Sequence, residues 1–219
     1  MAKGRRARWT SSQPMNSLNS FGPISHIDAF SSLKPMLFSR QQGNLVLLDN
    51  TLSVQASPIA LPRSGYPQVS QACMSVRNAF WLFDERELAL VRVDDQLRPL
   101  SNSGRLDQLL GFSPQPTFMT ELDSWLYVCD PEHGVLVFDL FATFSRTLPI
   151  RGVQRIEVRD GGVYHVKDGT LLRYDLRSMD TVPIPWPATL EGRTVREARV
   201  ERGHIVALTD DGIEVVPLR

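Results

Sequence analysis

Cysteine is scarce in this chain: Cys73 and Cys129 are the only two in 219 residues. That excludes a disulfide-dense scaffold, and no Cys/His group has zinc spacing. No run approaches the roughly 18 apolar residues of a membrane-crossing helix, so no transmembrane segment is expected. There is no excess of either charge. Lys plus Arg equals Asp plus Glu at 24 each, which leaves no broad field for nucleic acid, and no nucleic-acid partner is expected. No GxSxG, no HExxH and no glycine-rich phosphate loop occurs, which removes the hydrolases and nucleotide enzymes whose sites are legible locally. The basic residues Lys3, Arg5, Arg6 and Arg8 are followed by mostly polar residues from Thr10 to Ser20 rather than by the apolar run of an export signal. Residues 1–20 read as a basic, polar N-terminal segment, and residues 21–219 as a single domain.

What is present is a repeat. "NLVLLD", "ALVRVD", "GVLVFD" and "TLLRYD" end at Asp49, Asp94, Asp139 and Asp175, at intervals of 45, 45 and 36 residues. Each is preceded by another short apolar strand and a turn rich in Gly or charge. A fifth unit, "GHIVALTD" and "GIEVVPL", ends the chain. Weaker strands flank each pair: "ISHIDAF", "QVSQACMSV", "PTFMTEL", "VQRIEVRD" and "TVREARVE" before, "LSVQASPIAL", "QLRPLS", "TFSRTLPI" and "DTVPIP" after. Four strands in about 42 residues are the length of a β-propeller blade. Pro58, Pro62, Pro99, Pro149, Pro183 and Pro185 gather in or beside the fourth strands, where an outer edge tolerates a missing N–H. The fold expected is all-β: a WD40-like β-propeller with five visible blades of four-stranded antiparallel sheet. The last unit has no room for a fourth strand, and residues 8–17 are the segment available to close it.

The aspartates that recur once per blade suit turns, where a carboxylate accepts backbone N–H bonds, better than a metal site. No metal and no cofactor is expected. Both cysteines lie inside apolar strands and read as buried thiols. Of the histidines, His26 and His165 sit in strands and His133 in a turn. In the regular hairpin from Trp125 to Phe138, the side chains of Trp125, Tyr127, Leu136 and Phe138 are expected between neighbouring blades.

Two kinds of site are open. Residues 101–116 break the rhythm with "SGRLDQLLGFSPQP", which predicts a short helix over 104–110, capped by Ser103 and stopped by Gly111, with Leu106, Leu109 and Leu110 on one face. Such a helix is unstable alone. Its leucines either pack on their own blades or form a docking surface with Phe112. A second irregular connection carries Trp186. Leu106, Leu110, Phe112 and Trp186 are therefore the candidate binding residues for another protein. The enzyme alternative is a propeller-type glycoside hydrolase or other hydrolase using carboxylates that face a central channel. Its candidates are Asp28, Glu121, Glu157 and Glu197, all on first strands. Beside Glu157 and Glu197 stand Arg155, Arg159, Arg196 and Arg199, which could equally pair them off.

The "LDQLLG" segment at Leu106 to Gly111, the hairpin from Asp130 to Asp139 and the "TLPI" strand from Thr147 to Gly152 resemble the propeller-like cell-envelope proteins of Bacteroidetes-type bacteria. The resemblance covers about residues 20–185. A rigid propeller with variable rim loops and no convergent catalytic motif suits a non-catalytic binding or scaffold module partnered by another protein; the resemblance implies a location in the periplasm or at the outer membrane, and so a partner in an outer-membrane or periplasmic complex. The visible N-terminus by itself implies the cytoplasm. The family pattern also implies a signal peptide and further strands before "FGPISHIDAF", making a six-bladed propeller of which five units stand here. It carries no catalytic residues over.

Overall fold

A computed structural model describes residues 21–29, 33–201 and 203–217. The basic segment 1–20, with the closing strand expected over 8–17, lies outside the described residues. The fold is all-β and of the β-propeller class, with five antiparallel sheets, each a meander in chain order. The described residues divide into two compact units, those within 21–151 and those within 152–217.

The first unit holds three blades. Blade 1 is β1 (His26–Asp28), β2 (Met36–Ser39), β3 (Asn44–Leu47) and β4 (Ile59–Ala60). Blade 2 is β5 (Val69–Ser75), β6 (Ala79–Asp84), β7 (Ala89–Val93) and β8 (Pro99–Asn102). The helix α1 (Leu106–Leu110) follows. Blade 3 is β9 (Phe118–Leu122), β10 (Trp125–Asp130), β11 (Gly134–Asp139) and β12 (Phe144–Leu148). The second unit holds blade 4, with β13 (Glu157–Arg159), β14 (Gly162–Lys167), β15 (Thr170–Asp175) and β16 (Thr181–Ile184), and a three-stranded sheet of β17 (Val195–Glu201), β18 (His204–Thr209) and β19 (Gly212–Pro217).

The burial follows from stacking sheets on both faces. Every residue of β6 is buried, and β11 is buried from Gly134 to Phe138. A strand covered on both sides is apolar at successive positions rather than alternate ones. The fourth strands β8 and β16 are largely exposed, as the prolines foretold. Pro99 faces Val93 at a register shift, and Pro183 faces Leu172 on the edge strand. In the first unit one apolar cluster joins Met36, Phe38 and Leu45 to Met74, Phe80 and Leu82. A second joins Trp81, Phe83 and Leu90 to Leu126, Leu136 and Phe138. In the second unit Leu171, Leu190, Val195 and Ile205 share a cluster.

The recurrent aspartates are turn residues. In three successive blades the same turn is built at 45-residue spacing. Asp49, Asp94 and Asp139 each accept two backbone N–H groups on Oδ1, from residues two and four positions on. Their own N–H groups bond the carbonyls of Ser53, Arg98 and Thr143. Leu52, Leu97 and Ala142 take left-handed φ values of 63°, 59° and 63° in these turns. In blade 4 the turn is one residue longer: the Asp175 N–H reaches the Asp180 carbonyl, and Met179 takes the left-handed position. Glycine is required at Gly134, where φ is 113° and a Cβ would sit 2.4 Å from the Leu148 carbonyl oxygen.

Three expectations are corrected. Trp125 is not between blades but 38% exposed; it is the first residue of β10, beside the left-handed Asp123–Ser124 turn, so its ring lies at the rim. Tyr127, Leu136 and Phe138 are buried as expected. Ser103 does not cap α1. The cap position is Arg105, with no side-chain cap bond, and the Ser103 hydroxyl instead accepts the Leu90 N–H at 3.0 Å. Leu109 points out to solvent while Leu106 is buried. Gly111 ends the helix in the left-handed conformation as predicted.

Candidate functional site

The four candidate carboxylates do lie on first strands, β1, β9, β13 and β17, but three of them bind the neighbouring strand. Asp28 Oδ2 accepts the Met74 N–H at 2.7 Å, across 46 residues of sequence. Glu157 Oε2 accepts the Val200 N–H at 2.7 Å, across 43. These are the same relation one blade apart, made once in each unit. The Val200 carbonyl accepts from Arg159, so blade 4 holds both backbone polar groups of that residue. Glu121 is buried and accepts three donors: the Ser75 hydroxyl at 2.5 Å, the Trp81 indole N–H at 2.6 Å and the Val76 N–H at 3.1 Å. Arg92 in turn donates to the Ser75 hydroxyl and the Val76 carbonyl. Buried polar groups satisfied this fully fix geometry. Glu197 differs: it is exposed and faces Arg155 at 3.7 Å.

The irregular segment after blade 2 builds a groove in the first unit. Leu106 is fully buried, and Leu110 and Phe112 pack half-buried on the cluster of Trp81 and Leu126. The Phe112 ring stacks on His133, with centroids 3.6 Å apart and planes 7° apart. His133 is fixed from behind, since Asp130 Oδ1 accepts both its backbone N–H and its Nδ1 contact at 3.1 Å. The following loop is anchored where Gln115 N donates to Asp130 Oδ2 at 2.8 Å. This loop, with Phe83, Leu88 and the ion pair Arg40–Glu85 of 2.8 Å, walls a cavity of about 390 Å³. Trp186 lies in the other unit, half-buried, with its indole N–H on the Gly169 carbonyl at 2.8 Å. The structure therefore brings Leu106, Leu110 and Phe112 together. Sequence reasoning missed His133 as their partner; its place in "DPEHG" showed a turn, and only folding brings Phe112 onto its face.

A second cavity, of about 440 Å³, lies within the second unit. Arg155, Glu157, His165, Arg196, Glu197 and Arg199 line it, over an apolar floor that includes Ile156 and Leu208. Arg196 is held by Asp210, through Nε at 2.8 Å. Burial pushes the Glu157 carboxyl above its ordinary value, against the opposing pull of the Val200 N–H and of Arg199. Burial likewise lowers His165, partly offset by the Val163 carbonyl. His165 thus stays neutral at pH 7. Among the described residues, no group of three His, Cys, Asp or Glu side chains gathers to hold a metal ion. No helix there is long and apolar enough to cross a membrane. Cys73 and Cys129 are buried thiols not joined in a disulfide, and desolvation raises both, Cys129 to about 11.

No protein-family model matches the chain, and no curated protein matches it. Solved structures do resemble it. PorZ, an essential bacterial surface component of the type-IX secretion system of Porphyromonas gingivalis, superposes with a TM-score of 0.56 at 14% identity over 89% of this chain. This chain spans 26% of the length of PorZ, about a quarter. A streptogramin B lyase gives 0.54 at 13% identity, covering 90% of this chain and 69% of the lyase. The Neurospora crassa Pan2 WD40 domain gives 0.59 at 11% identity, covering 90% of this chain and 62% of that one. A surface component, an enzyme and a WD40 domain share this architecture, and at such identities what they have in common with the chain is the β-propeller fold.

Proposed function

We propose that this chain is a non-catalytic binding or scaffold module whose partner is another protein, in an outer-membrane or periplasmic complex of the cell envelope. The observation that carries the reading is the groove beside α1, where the stacked Phe112–His133 pair adjoins a cavity with an ion pair on its rim. A half-buried aromatic on a rigid support, next to an apolar wall and paired charges, suits a protein partner. Leu106 and Leu110 support this surface from beneath. Trp186 would belong to a second contact. The likeness to PorZ supports the envelope, as does the resemblance carried by the Asp130 to Asp139 hairpin. Residues 21–219 act in this reading as one domain, which a single cooperative thermal transition would show.

The test is quantitative capture from envelope fractions of the source cells with wild type, Leu110→Ala and Phe112→Ala. One reproducible partner, lost in both variants while the melting temperature holds, supports the reading. Equal capture by all three overturns the site. The parent cells are also fractionated; recovery of the chain only in the cytosol overturns the envelope location.

The hydrolase alternative now rests on Glu157 and Glu197, which share the second cavity. Asp28 and Glu121 serve in it only as structural acceptors. Turnover of a glycan or ester panel, abolished by Glu197→Gln, would favour it over the scaffold.

A further inference from the structure

Four of the five sheets carry four strands, while the described strands of the fifth are three, and none of them pairs with the outer edge of β19. In blades 2 and 3 the equivalent third strands are buried, at Leu90 and Val91 and at Val135 and Val137, whereas Ile213 is 65% and Val215 42% exposed. Natural sheets guard a true edge with proline, charge or cover. The fourth strands have Pro58, Pro62, Pro99, Pro149 and Pro183 in or beside them, but β19 meets proline only at its last residue, Pro217. Its composition is that of an inner strand.

The opening glycine agrees. Gly134 and Gly212 each begin a third strand after a hairpin, at φ 113° and 129°. At Gly134 the Leu148 carbonyl of the fourth strand passes where a Cβ would stand; at Gly212 no described atom lies within 4 Å of that place. The same backbone geometry is therefore used in both sheets, and the described residues make the crossing in one.

Of the stretches outside the described residues, 1–20 is the one long enough for a strand. Within it Trp9, Thr10, Ser11, Ser12, Gln13 and Pro14 repeat the pattern of Phe144, Ser145, Arg146, Thr147, Leu148 and Pro149 in blade 3. Each has an aromatic first, hydroxyls second and fourth, and proline sixth. Gln13 is the departure, polar where Leu148 is apolar. In blade 3 Leu136 faces Thr147, Val137 faces Arg146 and Phe138 faces Phe144. The same register sets Ser12 against Glu214, Ser11 against Val215 and Trp9 against Val216. The Phe144 ring lies edge-on to Phe138; a larger ring on Trp9 meets a smaller side chain on Val216, which keeps the filled volume similar.

We propose that the outer edge of β19 is the docking site of residues 9–14 of this chain, which pair with it antiparallel as a fourth strand and set the Trp9 ring on Val216. Main-chain hydrogen bonds to the edge supply the affinity, and the aromatic supplies the register. The inference concerns β19 and does not rest on the groove beside α1.

The test uses the full chain with two engineered cysteine pairs. Ser11→Cys with Val215→Cys joins positions directly opposite, about 4.5–5.5 Å apart in an antiparallel pair and within disulfide reach. Ser11→Cys with Met179→Cys is the control, since Met179 is an exposed turn residue of the same unit. Mild oxidation should link 11 to 215 within one chain at least about tenfold faster than 11 to 179, read by mass spectrometry after proteolysis. Hydrogen exchange reads the same contact without cysteines. The β19 amides that do not bond β18 should be protected in wild type and should exchange at least about tenfold faster in Trp9→Ala, with β10 unmoved. Links only between chains would give the edge to a second copy and overturn the proposal. So would equal rates to 215 and 179, unprotected edge amides in wild type, or wild-type protection in Trp9→Ala.

Discussion

The Trp81 indole N–H donates to the Glu121 carboxylate at 2.6 Å, joining β6 of blade 2 to β9 of blade 3 through two buried side chains. This bond puts a polar anchor in the middle of an apolar seam. Trp81 packs with Leu126, Leu136 and Phe138, while its one polar atom is satisfied by the next blade. Tryptophan can be fully buried only where its N–H finds such a partner.

Glu121→Leu should therefore strand three donors, the buried ones on Trp81 and Ser75 and the half-buried one on Val76. Each unmade bond costs about 1–3 kcal/mol, so denaturant unfolding should show a loss of several kcal/mol. Glu121→Gln keeps an acceptor oxygen and should lose less. If Glu121→Leu unfolds at the wild-type midpoint, the carboxylate is not the seam's anchor.

Phe138→Ala and Trp125→Ala should part company. Phe138 is fully buried and contacts Phe144 edge-on, with centroids 5.5 Å apart, so its truncation should cost about 3–5 kcal/mol. Trp125 sits at the rim and should cost well under half of that. Equal melting-temperature losses would contradict the burial difference.

The three equivalent turns offer a backbone test. Leu52 is exposed at φ 63°, and Ala142 is buried at the same φ. A left-handed non-glycine residue costs about 1–2 kcal/mol, which glycine relieves while giving back part of it as unfolded-chain entropy. Leu52→Gly should leave the protein equally or more stable by up to about 1 kcal/mol. Ala142→Gly also removes a buried methyl group and should gain less. Thermal melts of the pair give the order.

Acid stability should be governed by the turns. Hydrogen bonds from Ser178 and Arg173, followed by Arg177, hold Asp175 at about 2, and hydrogen bonds hold Asp49 and Asp94 below the ordinary 3.8. Their stabilisation is complete above about 4 and should be lost as pH falls toward 2. Glu157 has the opposite sign. Its raised value makes the folded state bind more protons, so its contribution falls as pH rises above 4.5. Glu157→Gln should gain stability relative to wild type at pH 7 and lose that advantage at pH 4. Melting temperatures across pH 2–8 for wild type, Asp175→Asn and Glu157→Gln would check both signs.

The thiols should be silent in the native protein. Burial raises Cys73 well above its ordinary value and Cys129 to about 11, so almost no thiolate is present at pH 8. Ellman's reagent should react with both cysteines only after denaturant is added. Fast reaction of either in buffer would show that its strand opens.

The sequence by itself determined the blades. Apolar strand pairs of similar length, an aspartate closing the third strand in four of the five units and prolines beside the fourth are local signals, because strand alternation, turn hydrogen bonding and proline's missing N–H act within a few residues. Asp94 and Pro99 could be assigned their jobs from their neighbours alone. The site was not legible in that way. Whether Glu121 is a catalyst or an anchor depends on Ser75, Val76 and Trp81, some 40 residues away. Whether Phe112 docks or packs depends on His133. Trp125 and Phe138 look alike in one hairpin, yet one lies at the rim and the other in the seam. Only the tertiary structure decides these, since contacts between blades join residues about 43–46 apart, as at Asp28–Met74 and Glu157–Val200. A strand pattern fixes which residues face a sheet's two sides and leaves unsaid what the neighbouring sheet brings to meet them.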